Sequence, residues 1–465
     1  MRLFSLLCLP ALFLASAGAA EPVLTVSPRE GVFDAPFAVE LRGLPAESEV
    51  EIRTLRETEE GSVWITRGTY RADAGGTVNA ARMPSLGGSY TGLSPHGLLC
   101  SALPKGVTGF DAYLREVIEN PRLPRSFVPP IGPIPITVEA SIEGKLIAKT
   151  TAIRGHAMGA SAQEIATKDG LRGLYYAPDA GQPVRTPVLL LNGSGGGVRE
   201  YGAARLASHG HPTFAFAIYN YADLPKTLKD FPIERVRDAA RWLARQTGSE
   251  KVAVMGVSRG SEAAAHAAIA FPDAFSAVIL SVPSHLRDAG ALGPDAKPGD
   301  GAWTLGGENF PVTDLGFTFD DPRIAEQAKE LPGYSATTNV FSFWGSERLE
   351  RQYGTSFEDL QAPVLVLAAD EDSIWPSWIS AERIRQRMAA AGKSELVEVR
   401  SYPGAGHTMV AVGNGGPLST FAYNPFLEGY MDFGGTPNGN CEAGFLASRA
   451  IVEFLAKLDA SPDRD

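Results

Sequence analysis

The chain has 465 residues, of which 44% are hydrophobic, 20% charged and 9% aromatic. That composition excludes a disordered, collagenous or coiled-coil protein, and the length predicts two cores, because single cores stop growing near roughly 250–300 residues. A formal net charge of −11, with no basic cluster along the chain, argues against a nucleic-acid partner, whose binding draws on clustered Lys and Arg.

Residues 1–20 read as an export signal: Arg2, an apolar run from Leu3 to Ala15, then the small residues Ala17-Gly18-Ala19-Ala20 before a cleavage point. The run is shorter than the roughly 20 residues a bilayer crossing needs and contains Pro10. The expectation is therefore a periplasmic or secreted protein with no stable membrane insertion. Cys100 and Cys441 remain after cleavage. An exported pair could bond, but with one in each predicted domain the reading favours two buried thiols. The seven histidines show no metal-ligand spacing, so no metal or other cofactor is expected, and His209 and His211 on either side of Gly210 read as a solvated turn.

From residue 21 to 153, runs such as Val23–Val26, Phe37–Leu41, Val50–Arg53 and Ile134–Val138 alternate with period two between Gly, Pro and Asp breaks, which predicts an all-β, immunoglobulin-like sandwich. Prolines 121, 124, 129, 130 and 133 predict a long extended connection. Arg154 to Leu171 reads as a junction. Beyond it the strands are wholly apolar: Val188–Leu191, Thr213–Ile218, Val252–Met255, Ala277–Leu280 and Val364–Leu367. Strands apolar on both faces belong to a parallel sheet covered by helices on each side, so residues 154–465 are predicted as a doubly wound α/β domain.

Gly256-Val257-Ser258-Arg259-Gly260 lies between the strand at Val252 and a helical stretch from Ser261. G-x-S-x-G in that context is a nucleophile elbow, with glycines where strand and helix pass closest. A serine hydroxyl needs a base, and the base an orienting acid. His266, His285 and His407 follow Ser258. His266 points away along the helix, His285 follows a strand end, and His407, in a glycine-rich loop after Leu396–Tyr402, is the choice. For the acid, Asp370, Glu371 and Asp372 compete in the loop after Val364–Leu367. Asp372 is preferred, Asp370 is the runner-up as a turn cap, and all three could be merely solvated. The oxyanion hole is expected at the backbone N–H of Arg259 and of Ser194 or Gly195, in Asn192-Gly193-Ser194-Gly195-Gly196-Gly197. A nucleotide loop there would need a third glycine or a following Lys, and neither is present.

Leu86–Leu99, Gly193–Tyr201, Tyr219–Thr227, the elbow and Gly406-His407 together are similar to the acyl-CoA thioesterase and bile-acid-CoA:amino acid N-acyltransferase family, over nearly the whole mature length. The resemblance implies an N-terminal β-sandwich, a C-terminal α/β-hydrolase domain and a triad of Ser258, Asp372 and His407. Members that transfer acyl groups to amino acids have Cys where this chain has Ser258, so serine favours hydrolysis. The expected activity is hydrolysis of small-molecule acyl thioesters or related esters, with a peptidase, an amidase or an amino-acid N-acyltransferase as alternatives on the same scaffold. The stretch from Pro283 to Glu358, with Phe341, Phe343 and Trp344, reads equally as a cap over an acyl pocket or as a surface excursion.

Overall fold

The computed structural model describes residues 21–109, 129–287, 290–297, 299–312, 347–410, 420–424 and 429–460, together with Ala112, Tyr113, Glu116, Asn120 and Trp344. The expected export signal at residues 1–20, Pro121 and Pro124 of the expected extended connection, and Phe341 and Phe343 lie outside the described residues.

Period-two patterning builds the N-terminal part. Along Glu49–Glu57, Val50 and Ile52 face inward while Glu51 and Arg53 face outward. This strand and Val63–Arg71, Ile134–Ile142 and Lys145–Gly155 form one sheet; Val23–Ser27, Ala38–Arg42 and Val78–Asn79 form the other. Leu24, Val39, Leu41, Ile52, Trp64, Tyr70 and Ile136 fill the core between them.

Residues 156–159 cross from Lys145–Gly155 into a third, eight-stranded sheet. Its spatial order is Ala160–Ala166, Arg172–Pro178, Thr213–Phe216, Val188–Leu191, Val252–Val257, Phe275–Ser281, Val364–Ala369 and Val397–Tyr402. Arg172–Pro178 pairs antiparallel with both of its neighbours, and the strands from Thr213–Phe216 onward pair parallel. The apolar runs are explained by two-sided burial. Leu189, Val254, Val278 and Leu280 face the helices Glu234–Thr247, Arg259–Ala270 and Ser377–Ala390. Their neighbours Val188, Leu190, Ala253, Met255 and Ile279 face Glu200–Ser208 and the C-terminal helix Pro437–Asp459.

Two sequence readings are corrected. Cys100 and Cys441 are joined in a disulfide, with their Cα atoms 5.7 Å apart. The cysteines belong to different domains in the sequence pattern, yet the first turns of the C-terminal helix reach into the sandwich core with Cys441 and Phe445. Nor do His209 and His211 make a solvated turn. His211 is buried with its ring against the Thr186 carbonyl at 2.9 Å, and His209 Nε2 lies 2.9 Å from Asp34 of the sandwich. Asp34 also accepts from Ser448 at 2.6 Å, so one buried carboxylate ties both parts of the chain together. Among the described residues no helix is long and apolar enough to cross a membrane.

Candidate active site

The strand Val252–Val257 sits inside the sheet and runs straight into Ser258, whose φ of 54° and ψ of −123° lie where a residue with a Cβ is strained. The turn is held by close packing. A Cβ on Gly256 would stand 2.1 Å from the Gly260 carbonyl oxygen, and one on Gly260 would stand 2.5 Å from that of Asn192. Only glycine fits either position, and the hydroxyl is thereby presented at the C-terminal end of the sheet.

His407 opens a short turn, His407–Val410, just beyond the strand Val397–Tyr402. Its Nε2 is 2.8 Å from Ser258 Oγ, and its Nδ1 is 2.9 and 3.0 Å from the two carboxylate oxygens of Asp372. Asp372 is buried and accepts from the backbone N–H groups of Ile374 and Trp375 at 3.0 and 3.3 Å. Asp370 is exposed and accepts from the Ser401 hydroxyl, and Glu371 is exposed as well. The path of the backbone through this loop turns only Asp372 inward and leaves both preceding acids in solvent. The other two histidines take no part. His266 stacks on Phe310 with ring centroids 4.3 Å apart, and His285 Nδ1 lies 3.0 Å from the Ser380 hydroxyl. Burial pushes each down to about 3.

Arg259 opens the helix Arg259–Ala270, so its N–H lies at the positive end of that helix. Across from it, the loop after Val188–Leu191 passes so near the serine that a Cβ on Gly193 would be 3.0 Å from Ser258 Cβ. The Gly193 N–H is engaged by the Asn192 side chain at 2.9 Å, and a Cβ on Gly195 would meet nothing within 4 Å. Of the two residues expected here, Ser194 is thus the one adjoining the contact with Ser258. Tyr219 donates its hydroxyl to the Ser194 carbonyl, and Asn220 donates to that of Gly195 at 3.2 Å.

Several supporting residues carry no motif of their own. The Arg259 side chain is buried against Glu262 at 3.0 Å, donates to the Gly290 carbonyl at 2.9 Å and lies over Trp303, whose indole N–H also reaches Glu262 at 2.9 Å. Asn440 is fully buried; its Oδ1 accepts from the Gly406 N–H and its Nδ2 donates to the Gly434 carbonyl at 3.1 Å. The His407 N–H in turn donates to the Phe433 carbonyl at 2.7 Å. Next along the same helix, Cys441 carries the disulfide, and Glu442 accepts from Ser94 and from the His96 N–H at 2.7 Å. His96 stacks on Phe445 with centroids 4.0 Å apart. Thr436 caps the start of this helix, accepting from the Gly439 N–H at 3.0 Å, and Pro437 follows. Nothing in the spacing linked that helix start to His407.

A doubly wound sheet with a serine on a strained turn beside its central strands, and an imidazole between that serine and a buried aspartate, define an α/β-hydrolase domain, here preceded by a β-sandwich. More narrowly, the chain belongs to the acyl-CoA thioester hydrolase/BAAT family: the model of its N-terminal region matches residues 34–166, and that of its C-terminal region matches residues 231–460. Acyl-coenzyme A thioesterase 1 of Rattus norvegicus is 28% identical over 444 residues, 94% of this chain and 97% of that protein. Peroxisomal succinyl-coenzyme A thioesterase of Mus musculus is 26% identical over 441 residues, 93% of this chain and 96% of its own. Among solved structures, a thermophilic esterase aligns over 64% of this chain and 98% of its own at 14% identity, with a TM-score of 0.36.

Proposed function

We propose that this chain is an exported serine hydrolase that cleaves acyl thioesters of the acyl-CoA type, or related esters, through an acyl-enzyme. The observation that carries the reading is the single imidazole in hydrogen-bond contact with both Ser258 Oγ and the buried Asp372 carboxylate. In this reading Ser258 Oγ attacks the carbonyl carbon while His407 Nε2 takes its proton, and Asp372 holds the Nδ1–H and stabilises the imidazolium. The oxyanion lies between the N–H groups of Arg259 and Ser194. The carbon–sulfur bond then breaks, and His407 returns the proton to the departing thiolate. A water, deprotonated by the same Nε2, attacks the acyl ester, and collapse frees the acid and Ser258. The family and the names of its thioesterase relatives support the thioester substrate. Export is supported by the pattern of residues 1–20 and by a disulfide of the kind that persists in oxidising compartments.

The test is turnover of acyl-CoA, acyl N-acetylcysteamine and p-nitrophenyl ester series. Ser258→Ala should lose at least about 10³-fold in kcat and all labelling by a fluorophosphonate. Asp372→Asn should lose about 10⁴-fold, and Asp370→Asn should stay within about twofold. Unchanged turnover in Ser258→Ala refutes the mechanism, and a loss confined to Asp370→Asn moves the acid.

A further inference from the structure

An overall charge of −11 offers nothing to an anionic leaving group, yet the charge is not evenly spread. A cleft of about 520 Å³ is lined by Arg287, Arg351, Arg383 and Arg387 together with Glu347 and Glu350. It lies where the segment after the strand Phe275–Ser281 and the helix Ser377–Ala390 meet residues 347–356, which lead into the strand Val364–Ala369. Arg287 is six residues past the strand Phe275–Ser281, which pairs with the nucleophile strand, while Arg383 and Arg387 are one turn apart on the helix that follows the Asp372 loop. A buried apolar row stands between the cleft and the imidazole. Leu286 packs with Trp344 and Trp375; Trp344 stacks on Trp375 at 6.3 Å, and Trp375 meets His407 edge-on at 5.4 Å.

Three of the four guanidinium groups in the cleft have carboxylate partners among the described residues. Arg387 pairs with Glu358 at 2.6 Å, Arg383 and Arg387 share Glu350 at 3.5 and 3.8 Å, and Arg351 lies 3.5 Å from Glu347. Arg287 has only carbonyl partners, Pro311 at 2.9 Å and Gln352 at 3.3 Å, and no carboxylate pairs with it among the described residues. Among the described residues Glu347, Glu350 and Glu358 pair with Arg351, Arg383 and Arg387, and none of them pairs with the half-buried Arg287. The guanidinium groups are felt nearby: after burial itself, Arg387 lowers Arg287, and Arg383 and Arg387 lower His285.

We propose that this cleft binds the phosphate groups of a nucleotide-bearing leaving group of the coenzyme A type, with Arg287 as the main contact. The assignment rests on the thioesterase reading and names the half of the substrate that reading leaves open. A guanidinium fork suits phosphate because it presents paired donors to paired oxygens and holds its charge when partly desolvated. Across the Leu286–Trp344–Trp375 wall, the arrangement separates phosphate recognition from the reacting carbonyl.

The experiment compares kcat/KM for decanoyl-CoA with that for decanoyl N-acetylcysteamine, which carries no phosphate, and measures competition by 3′,5′-ADP and by 4′-phosphopantetheine. In Arg287→Ala the loss on the CoA thioester should exceed the loss on the phosphate-free one by about tenfold, chiefly through KM, and inhibition by 3′,5′-ADP should weaken in parallel. Arg287→Lys should recover part of the difference, and Arg348→Ala, outside the cleft, should leave the ratio of the two substrates unchanged. Equal losses on both substrates overturn the assignment, as does wild-type turnover of the CoA thioester that 3′,5′-ADP does not inhibit. Competition by 4′-phosphopantetheine alone also overturns the nucleotide assignment. If instead neither thioester is hydrolysed but 3′,5′-ADP binds with an affinity that depends on Arg287, the thioesterase reading fails and the cleft assignment stands.

Discussion

Replacing Asn440 by Ala removes no atom near the scissile bond, yet it should slow the reaction. The amide side chain supplies an acceptor to the Gly406 N–H, immediately before His407, and a donor to the Gly434 carbonyl, immediately after the residue whose carbonyl receives the His407 N–H. The site is fully buried and tightly packed: a Cβ on Gly406 would lie 2.1 Å from the Gly434 oxygen. Two stranded backbone groups at about 1–3 kcal/mol each place the penalty at about 2–6 kcal/mol if nothing moves. The strand pair can relieve that penalty by parting to admit water, and the imidazole then shifts with it; a displacement of about 1 Å reduces rate by about 10²-fold. The expected result for Asn440→Ala is a kcat lowered about 10- to 100-fold with KM within about threefold of wild type, together with a lower melting temperature. The assay is steady-state hydrolysis of the phosphate-free thioester, paired with thermal unfolding. A variant that melts earlier but keeps wild-type kcat refutes the reasoning, because the amide would then support the fold and not the placement of His407.

The remaining predictions concern the joint between the two parts of the chain. Opening the Cys100–Cys441 bridge, by reductant or by Cys441→Ser, releases a loop spanning 341 residues, for which chain entropy sets an upper value near ~6 kcal/mol and common experience about 2–5 kcal/mol. Denaturant midpoints that coincide with and without reductant would contradict this. Asp34 gives a pH signature. Burial alone would raise it, but the hydrogen bond and charge of His209, with Arg205 and Ser448, outweigh burial and lower it from 3.8 to about 2. A depressed folded value means that its stabilisation, about 2 kcal/mol, is fully present above the unfolded value and is lost as pH falls through the folded one. The gap in unfolding free energy between wild type and Asp34→Asn should therefore be full at pH 6 and shrink between pH 4 and pH 2; a gap that does not change with pH refutes it.

The α/β sheet was legible because two-sided burial writes itself as unbroken apolar runs, and Val252–Val257 and Val364–Ala369 carry no polar residue for their whole length. The elbow was legible because two glycines answer two steric collisions. Choosing among Asp370, Glu371 and Asp372 was harder, since the three are adjacent and only the path of the backbone decides which carboxylate turns inward. Least visible were Asn440, Glu442 and Glu262. Each is an ordinary polar residue on a helix, and what distinguishes it is a partner brought near by the fold: Gly406 lies 34 residues from Asn440, and His96 lies 346 from Glu442. The disulfide was misread for the same reason, because assigning each cysteine to a domain assumes that domains keep their helices to themselves.

The C-terminal helix Pro437–Asp459 covers one face of the hydrolase sheet, lends Cys441 and Phe445 to the sandwich core, and holds the loop of His407 through Asn440. These duties fall on consecutive turns of one rigid rod, so the two modules cannot be exchanged freely between relatives. A sandwich transplanted from another member would arrive without the groove shaped for this helix, and the mismatch would be felt at the imidazole. Inheritance should therefore keep the pair together, with changes around Ser94 and His96 matched by changes around Glu442 and Phe445.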